Sequence, residues 1–410
     1  MNAVVAVNEC ISPRRKSFFH YRATVAAVCA GLTIALVLSA SVGTANATSG
    51  LFYLGTPKQL SASGNGNHTC LLFKNGRVAC WGQGHFGQLG DGTWVAKPKP
   101  VAVSGITTAK HVSAGPVHSC AVLSGGTVKC WGANGNGQLG NGNTSSSASP
   151  VTVTGLSGAI KVATGQWHTC ALVTGGSIKC WGYGFGGQLG NGTAVMSQLT
   201  PVTVSGITGA TDISAGSQFT CAVVFAKVKC WGFGFNMSSL VPGFVNGITG
   251  GASQVSASLG HGCATMTSGS IKCWGTGGYG QLGNGTTPNN SPAVTVTGIS
   301  TATQVAAGSV HSCAVLKSGT VRCWGGSGFG QLGDGQRMYN RYTPVIAKTS
   351  GGASLRGMTQ IVAGYGHTCA LFGDAMVYCW GAGAWGQIGN GAWLNKLGAV
   401  EVDYPWVVIG

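Results

Sequence analysis

Apolar and polar residues alternate in short runs along most of this chain, and the same set of runs keeps returning. Near the middle the order is Pro150-Val151-Thr152-Val153, then Ile160-Lys161-Val162-Ala163-Thr164-Gly165, then His168-Thr169-Cys170-Ala171-Leu172-Val173. A turn at Gly175-Gly176 leads into Ile178-Lys179-Cys180-Trp181-Gly182. Period-two alternation over four to six residues, bounded by turn residues, predicts short β-strands. A marker, His-x-Cys followed about nine residues later by Cys-Trp-Gly, places first cysteines at Cys70, Cys120, Cys170, Cys221, Cys263, Cys313 and Cys369. The period is near fifty. Seven units of four strands predict an all-β chain, and radial repetition into a seven-bladed β-propeller with four-stranded blades fits better than a solenoid. The end segment Pro405-Trp406-Val407-Val408-Ile409-Gly410 matches the run that opens other units, and the first unit, starting near Leu51, lacks it. The C-terminal strand is therefore expected to complete the first blade and close the ring, leaving no free edge.

Composition supports a turn-rich β fold. Glycine supplies 72 of 410 residues and charged types only 7%, so long helices laced with ion pairs are excluded. The hydrophobic fraction of 44% is enough to offset chain entropy, which excludes a disordered glycine tract. Residues 1–47 read as an export leader. Arg14, Arg15, Lys16 and Arg22 precede an uncharged apolar run, Ala23 to Val42, and Ala45-Asn46-Ala47 offers a cleavage site. The competing reading is a retained anchor, because the run approaches the length that spans a bilayer. Cleavage would leave residues 48–410 as one propeller domain, secreted or held at the cell surface or in a periplasm. It would carry 19 basic and 6 acidic residues, a formal charge of +13. Such a charge favours anionic partners.

The turn string Gly-Gln-Leu-Gly-(Asp/Asn)-Gly follows most Trp-Gly markers, at Gly87 to Gly92, Gly137 to Gly142, Gly187 to Gly192, Gly280 to Gly285 and Gly330 to Gly335, with Gly-Gln-Ile-Gly-Asn-Gly from Gly386. Together with Gly-x-x-His-Thr and Gly-x-Val, this pattern resembles the regulator-of-chromosome-condensation repeat family over residues 51 to 410. The resemblance implies a seven-bladed propeller. Family functions range from nucleotide exchange on a GTPase to ultraviolet sensing and inhibition of secreted β-lactamases, so the fold does not give the function. Unit four departs from the pattern: Phe219 replaces the histidine, Cys221 and Cys230 are one residue closer than the other pairs, and no Gly-Gln-Leu-Gly follows Trp231. A shortened blade is the plain reading, and a partner-binding notch the functional one.

Two cysteines per unit in an exported chain predict a disulfide staple in each blade. The pairs are Cys70 with Cys80, Cys120 with Cys130, Cys170 with Cys180, Cys221 with Cys230, Cys263 with Cys273, Cys313 with Cys323 and Cys369 with Cys379. A metal site built from His68, Cys70 and Cys80 is the rival. It has three soft ligands where structural zinc takes four, and lacks closely spaced cysteine pairs. The family keeps the histidine without the cysteines, which implies a hydrogen-bonding role.

No catalytic constellation is found, so the chain is expected not to be an enzyme and to need no cofactor. The six carboxylates after the leader, Asp91, Asp212, Asp334, Asp374, Glu401 and Asp403, are scattered over different repeats. Strings such as Gly82-x-Gly84-x-x-Gly87 satisfy a dinucleotide fingerprint on paper but open no helix. Two repeated features are candidate partner-binding surfaces. Lys129, Lys179, Lys229, Lys272 and Arg322 precede the second cysteine of five units and would form an arc of like charge. Phe86, Tyr279, Phe329 and Trp385 stand two residues before the glutamine of the turn string. The plain readings are lysine stems covering blade edges and aromatic turn packing. The expected function is a secreted or cell-surface binding scaffold, with no membrane span after cleavage and no nucleic-acid partner, that takes an extracellular protein or an anionic polymer or glycan as a monomer. The alternative is an inhibitor of an extracellular enzyme.

Overall fold

Each sequence unit folds into its own antiparallel sheet of four strands, giving seven blades in a ring. The computed structural model describes residues 51–53, 55–234, 237–289, 291–403 and 406–408, so the leader lies outside the described residues. The first blade comprises Pro57–Ser61, His68–Phe73, Val78–Gly82 and Lys97–Ala102. The innermost strands of the others are Ala109–Ala114, Ala159–Thr164, Ala210–Ala215, Ala252–Ala257, Ala302–Ala307 and Met358–Ala363. These seven strands line a central channel holding a cavity of about 160 Å³. No helix occurs among the described residues.

The blade boundaries differ from the sequence reading in phase. The run Pro150-Val151-Thr152 belongs to Ser147–Thr152, the outer strand of the second blade, and does not open the third. Each outer strand follows its third strand within its own unit, across a long loop in every blade but the fourth, so every blade is complete and none waits for a strand from the chain end. The expected closure of the first blade by the C-terminal strand is thereby corrected. Trp406–Val408 instead pairs antiparallel with Leu51–Tyr53 in a separate two-stranded ribbon.

Side chains close the ring where no strand does. The third residue of each inner strand reaches the next blade. Gln360 donates through Nε2 to Leu60 O at 3.2 Å and accepts from Leu60 N at 2.7 Å, tying the last blade to the first. Gln59 makes the same pair of bonds to Val112 and Gln254 to Val305. Val162 N donates to His111 Nδ1, Ile361 N to Gln304 Oε1 and Val255 N to Asp212, whose other oxygen pairs with Lys161. The belt therefore passes every seam. Gln360→Ala strands the buried Leu60 backbone and is expected to cost about 2–4 kcal/mol, read as a lowered urea midpoint at unchanged slope. Wild-type stability in this variant would show that the belt contributes nothing to closure.

The core lies between the blades, in seven clusters that each draw on two neighbouring sheets. One cluster joins Leu72, Val78 and Leu89 of the first blade to Val112 and Trp131 of the second. The Trp-Gly marker ends the third strand of six blades, and in blade four the strand runs on to Gly234. At Gly82 the backbone turns through φ +107°, and a Cβ there would lie 2.4 Å from Asn67 O, so the long loop leaves the blade through a position only glycine tolerates.

Candidate functional site

The long loops are pinned to the neighbouring blade. Each Gly-Gln-Leu-Gly glutamine offers its carbonyl to the next blade's tryptophan: Trp131 Nε1 donates to Gln88 O, Trp181 to Gln138 O, Trp231 to Gln188 O, Trp324 to Gln281 O, Trp380 to Gln331 O and Trp81 to Gln387 O, all at 2.9–3.0 Å. The same carbonyl accepts from a Ser or Thr hydroxyl, as from Thr169 to Gln138 at 2.8 Å. That hydroxyl in turn meets the marker histidine of the preceding blade. The pairs are His68 with Ser119, His118 with Thr169, His168 with Thr220, His261 with Ser312, His311 with Thr368 and His367 with Thr69, at 2.7–2.9 Å. In five of the six seams the hydroxyl proton goes to the carbonyl, so Nε2–H donates and the imidazole is neutral; Nδ1 is buried without a partner among the described residues in all six. Burial pushes five of these histidines down to about 3 and His367 to about 4.

The seam between blades four and five lacks this lock. Phe219 stands in place of histidine, Gly262 in place of Ser or Thr, and no glutamine loop precedes Trp274, whose buried Nε1 has no partner among the described residues. Phe219 was visible in the sequence as a departure. Gly262 was equally readable, since every other residue between the marker histidine or Phe219 and the cysteine is Ser or Thr. The closer cysteine spacing of this unit also has a local cause. Val224 faces Lys227 across a two-residue turn, Phe225–Ala226, at φ 50° and 58°, and this keeps Cys221 opposite Cys230.

Strands alternate in direction, so the turn after each inner strand and the long loops share one face of the disc. The hairpins between second and third strands occupy the other. Phe86, Tyr279, Phe329 and Trp385 lie on the long-loop face and are 39–52% exposed. Their own N–H groups donate to the glutamine side chain two residues on, at 2.8–2.9 Å. That bond fixes the backbone and turns the rings outward. Trp385 meets His85 edge-on at 5.3 Å, and Phe329 lies 6.3 Å from Tyr365. Trp94 and Trp393 add half-exposed indoles on the same loops; they fall outside the repeated string that drew attention to the other four.

A denser apolar patch spans blades three and four. Phe185 and Met196 of the third long loop are 60% and 61% exposed, and Phe233 of the fourth blade 57%. Gly192 N donates to Leu240 O at 3.0 Å and approaches the Val241 side chain, so exposed Leu240 and Val241 continue the patch. Unit four has no long loop to cover it.

Lys129, Lys179, Lys229, Lys272 and Arg322 sit near the start of their third strands, on the hairpin side, away from the aromatic loops. The structure does not bring the two candidate sets together. Lys229 Nζ donates to Gly206 O at 3.2 Å and Lys272 Nζ to Gly247 O at 2.6 Å, each capping the turn that enters its own blade from the preceding one. Lys229 and Lys227 also lie 5.0 Å and 5.5 Å from the Phe244 ring centroid.

The seven cysteine pairs stand opposite each other in the ladders, with S–S separations of 2.05–2.14 Å and Cα–Cα 4.0–4.1 Å. Among the described residues no group of three or more His, Cys, Asp or Glu could hold a metal ion. Asp91 and Asp334 are committed to their own loops, through Thr93 and Gln336, and to Lys97 and Arg341. The glycine fingerprints are loop turns.

Comparison with solved structures shows the same fold. The human protein WBSCR16 superposes with a TM-score of 0.71 at 18% identity, over 80% of this chain and 94% of that one. Prp20p of Saccharomyces cerevisiae, studied with its binding to Gsp1p and histones, gives 0.65 at 18% identity over 81% and 87%. Yeast RCC1 (Prp20) in complex with Kap60 gives 0.65 at 18% over 91% of each chain. Residues 75–122, 125–172, 176–223, 268–315 and 318–371 each match the regulator of chromosome condensation (RCC1) repeat, and the unmatched interval after 223 contains the altered half of unit four. A second form of the repeat matches 58–88, 109–138, 159–188, 302–331 and 358–387. Repeats covering more than half of the chain, on a seven-bladed ring, place this protein in the regulator of chromosome condensation repeat family.

Proposed function

We propose that the protein is an exported, non-catalytic binding scaffold that takes a protein partner on its long-loop face, centred on the apolar patch of blades three and four. The observation that carries this reading is the exposure of Phe185, Met196 and Phe233 side by side on a frame otherwise locked by inter-blade hydrogen bonds. Large apolar side chains on a rigid surface supply contact area at little entropic cost, and a contiguous exposed patch marks an interaction site. Seven disulfides suit an oxidising compartment, in keeping with the leader. The relative Prp20p, the yeast RCC1, binds Gsp1p and histones and is bound by Kap60, which supports a protein partner over an anionic polymer or glycan. An inhibitor of an extracellular enzyme is the narrower form of the same reading, with one stoichiometric target.

The test is capture of extracellular proteins on the immobilised chain at low and high salt, followed by titration of the captured partner. An apolar interface holds in high salt, whereas polymer binding through lysines weakens steeply. Phe185→Ala with Phe233→Ala is expected to lower affinity by about a hundredfold or more, from about 2 kcal/mol per anchor. Unchanged affinity in the double variant would remove the patch from the binding site.

A further inference from the structure

We infer that the opposite, hairpin face is a second interaction surface, which docks the disc on an anionic lipid membrane. Among the described residues the hairpin face carries an excess of unpaired lysines beside its one ion pair, Lys74 with Asp374. Lys58 and Lys110 open their inner strands, Lys179 and Lys272 open third strands, and Lys227 and Lys229 follow the hairpin of blade four, so all six project from the hairpin side. None of them has a carboxylate partner among the described residues. Where their ammonium groups are held, at Gly206 O and Gly247 O, the acceptors are neutral carbonyls and the charge stays uncompensated. On the long-loop face Lys97 and Arg341 are neutralised by Asp91 and Asp334, and Arg337 donates to Gly328 O.

An apolar tip stands along this cationic arc. Phe225 occupies the hairpin turn of blade four and is 74% exposed, the highest value among the exposed large hydrophobic residues. Both turn residues, Phe225 and Ala226, adopt left-handed backbone conformations at φ 50° and 58°. Such positions favour Gly, Asn or Asp, and strain retained at an exposed tip points to a role for the side chain that is there. Phe244, 57% exposed, lies under the ammonium groups of Lys227 and Lys229 in the same blade. An aromatic tip flanked by lysines matches the lipid interface: the aromatic side chain enters the headgroup boundary while the ammonium groups meet lipid phosphate. A soluble polyanion would be met by the lysines alone and would leave Phe225 in water. Each lysine brought to an anionic surface strengthens binding by about fivefold, so several together suffice for peripheral attachment.

The test is co-sedimentation of the full secreted chain with vesicles of phosphatidylcholine alone and of phosphatidylcholine mixed with phosphatidylglycerol, across a salt series. Binding is expected to the mixed vesicles only, and to weaken with salt. Lys227→Glu with Lys229→Glu should lower partitioning more than about tenfold, and Phe225→Ser several-fold at fixed charge. Phe185→Ala with Phe233→Ala should leave it unchanged, so this surface and the loop-face reading stand or fall separately. Equal sedimentation with both vesicle types, or no binding, overturns the proposal. So does a Phe225→Ser variant that binds mixed vesicles and dextran sulfate as tightly as wild type, which would make the face a polyanion site without a lipid component.

Discussion

Stability should be flat above pH 7 and collapse cooperatively near pH 5. The seam histidines His68, His118, His168, His261 and His311 are held neutral by burial down to about pH 3, and His367 to about 4. In the unfolded chain each titrates at about 6.5. A depressed folded value means that the unfolded state binds the proton first. The stabilisation is therefore complete above 6.5 and is lost as pH falls from there towards the folded values. Each group removes about 1.4 kcal/mol per pH unit in that window. Six together remove about 8 kcal/mol per unit, against a typical net stability of about 5–15 kcal/mol. Carboxylates, the usual agents of acid unfolding, are too few here to set the slope. Urea midpoints between pH 8 and 4.5 measure it directly, as about seven protons taken up on unfolding near pH 5, six from the seams and one from His111 of the channel belt, which burial also pushes down to about 3. His168→Phe, which repeats what Phe219 already does in blade four, should reduce that uptake by one proton. A stability independent of pH down to 4.5 would show that these imidazoles are not held neutral.

The blade count, the staple positions and the abnormal fourth unit were legible because they repeat, or fail to repeat, at fixed offsets. The phase of the blades was not. An outer strand such as Ser147–Thr152 follows a long loop and alternates weakly, and a fifty-residue period reads the same wherever the unit is cut. That one ambiguity produced the wrong expectation for Trp406–Val408, which pairs with Leu51–Tyr53. The channel belt shows a different limit. Gln59, His111, Lys161, Asp212, Gln254, Gln304 and Gln360 share one repeat position, yet their types differ so much that the shared task, bonding to the next inner strand, needs the ring to become visible. The candidate site divides in the same way. The aromatic and basic sets were found from the repeat, but their placement on opposite faces follows from strand direction. The patch of Phe185, Met196 and Phe233 joins residues from two units that share no motif.

Full reduction should unfold the chain, yet reductant alone should reach the bridges slowly. All fourteen paired cysteines are inaccessible to solvent, at 0% exposure, inside the inter-blade clusters. A thiolate must attack a sulfur directly, so reduction has to wait for a blade to open. Loops of about ten residues are worth about 2.7 kcal/mol each on the chain-entropy account. Half of the sum over seven bridges already equals the net stability of a typical domain. Alkylation and mass spectrometry after dithiothreitol treatment should therefore find few blocked thiols under native conditions. At moderate urea, chains should divide into fully oxidised and fully reduced populations, because the first cut destabilises the blade and its neighbours together. Cys221→Ser with Cys230→Ser removes one bridge beside the seam that already lacks the histidine lock, and is expected to lower stability by about 2–3 kcal/mol. Rapid native reduction with an unchanged circular dichroism spectrum would mean that the inter-blade hydrogen bonds hold the ring unaided. In that case the fold would no longer require the oxidising compartment to which the leader points.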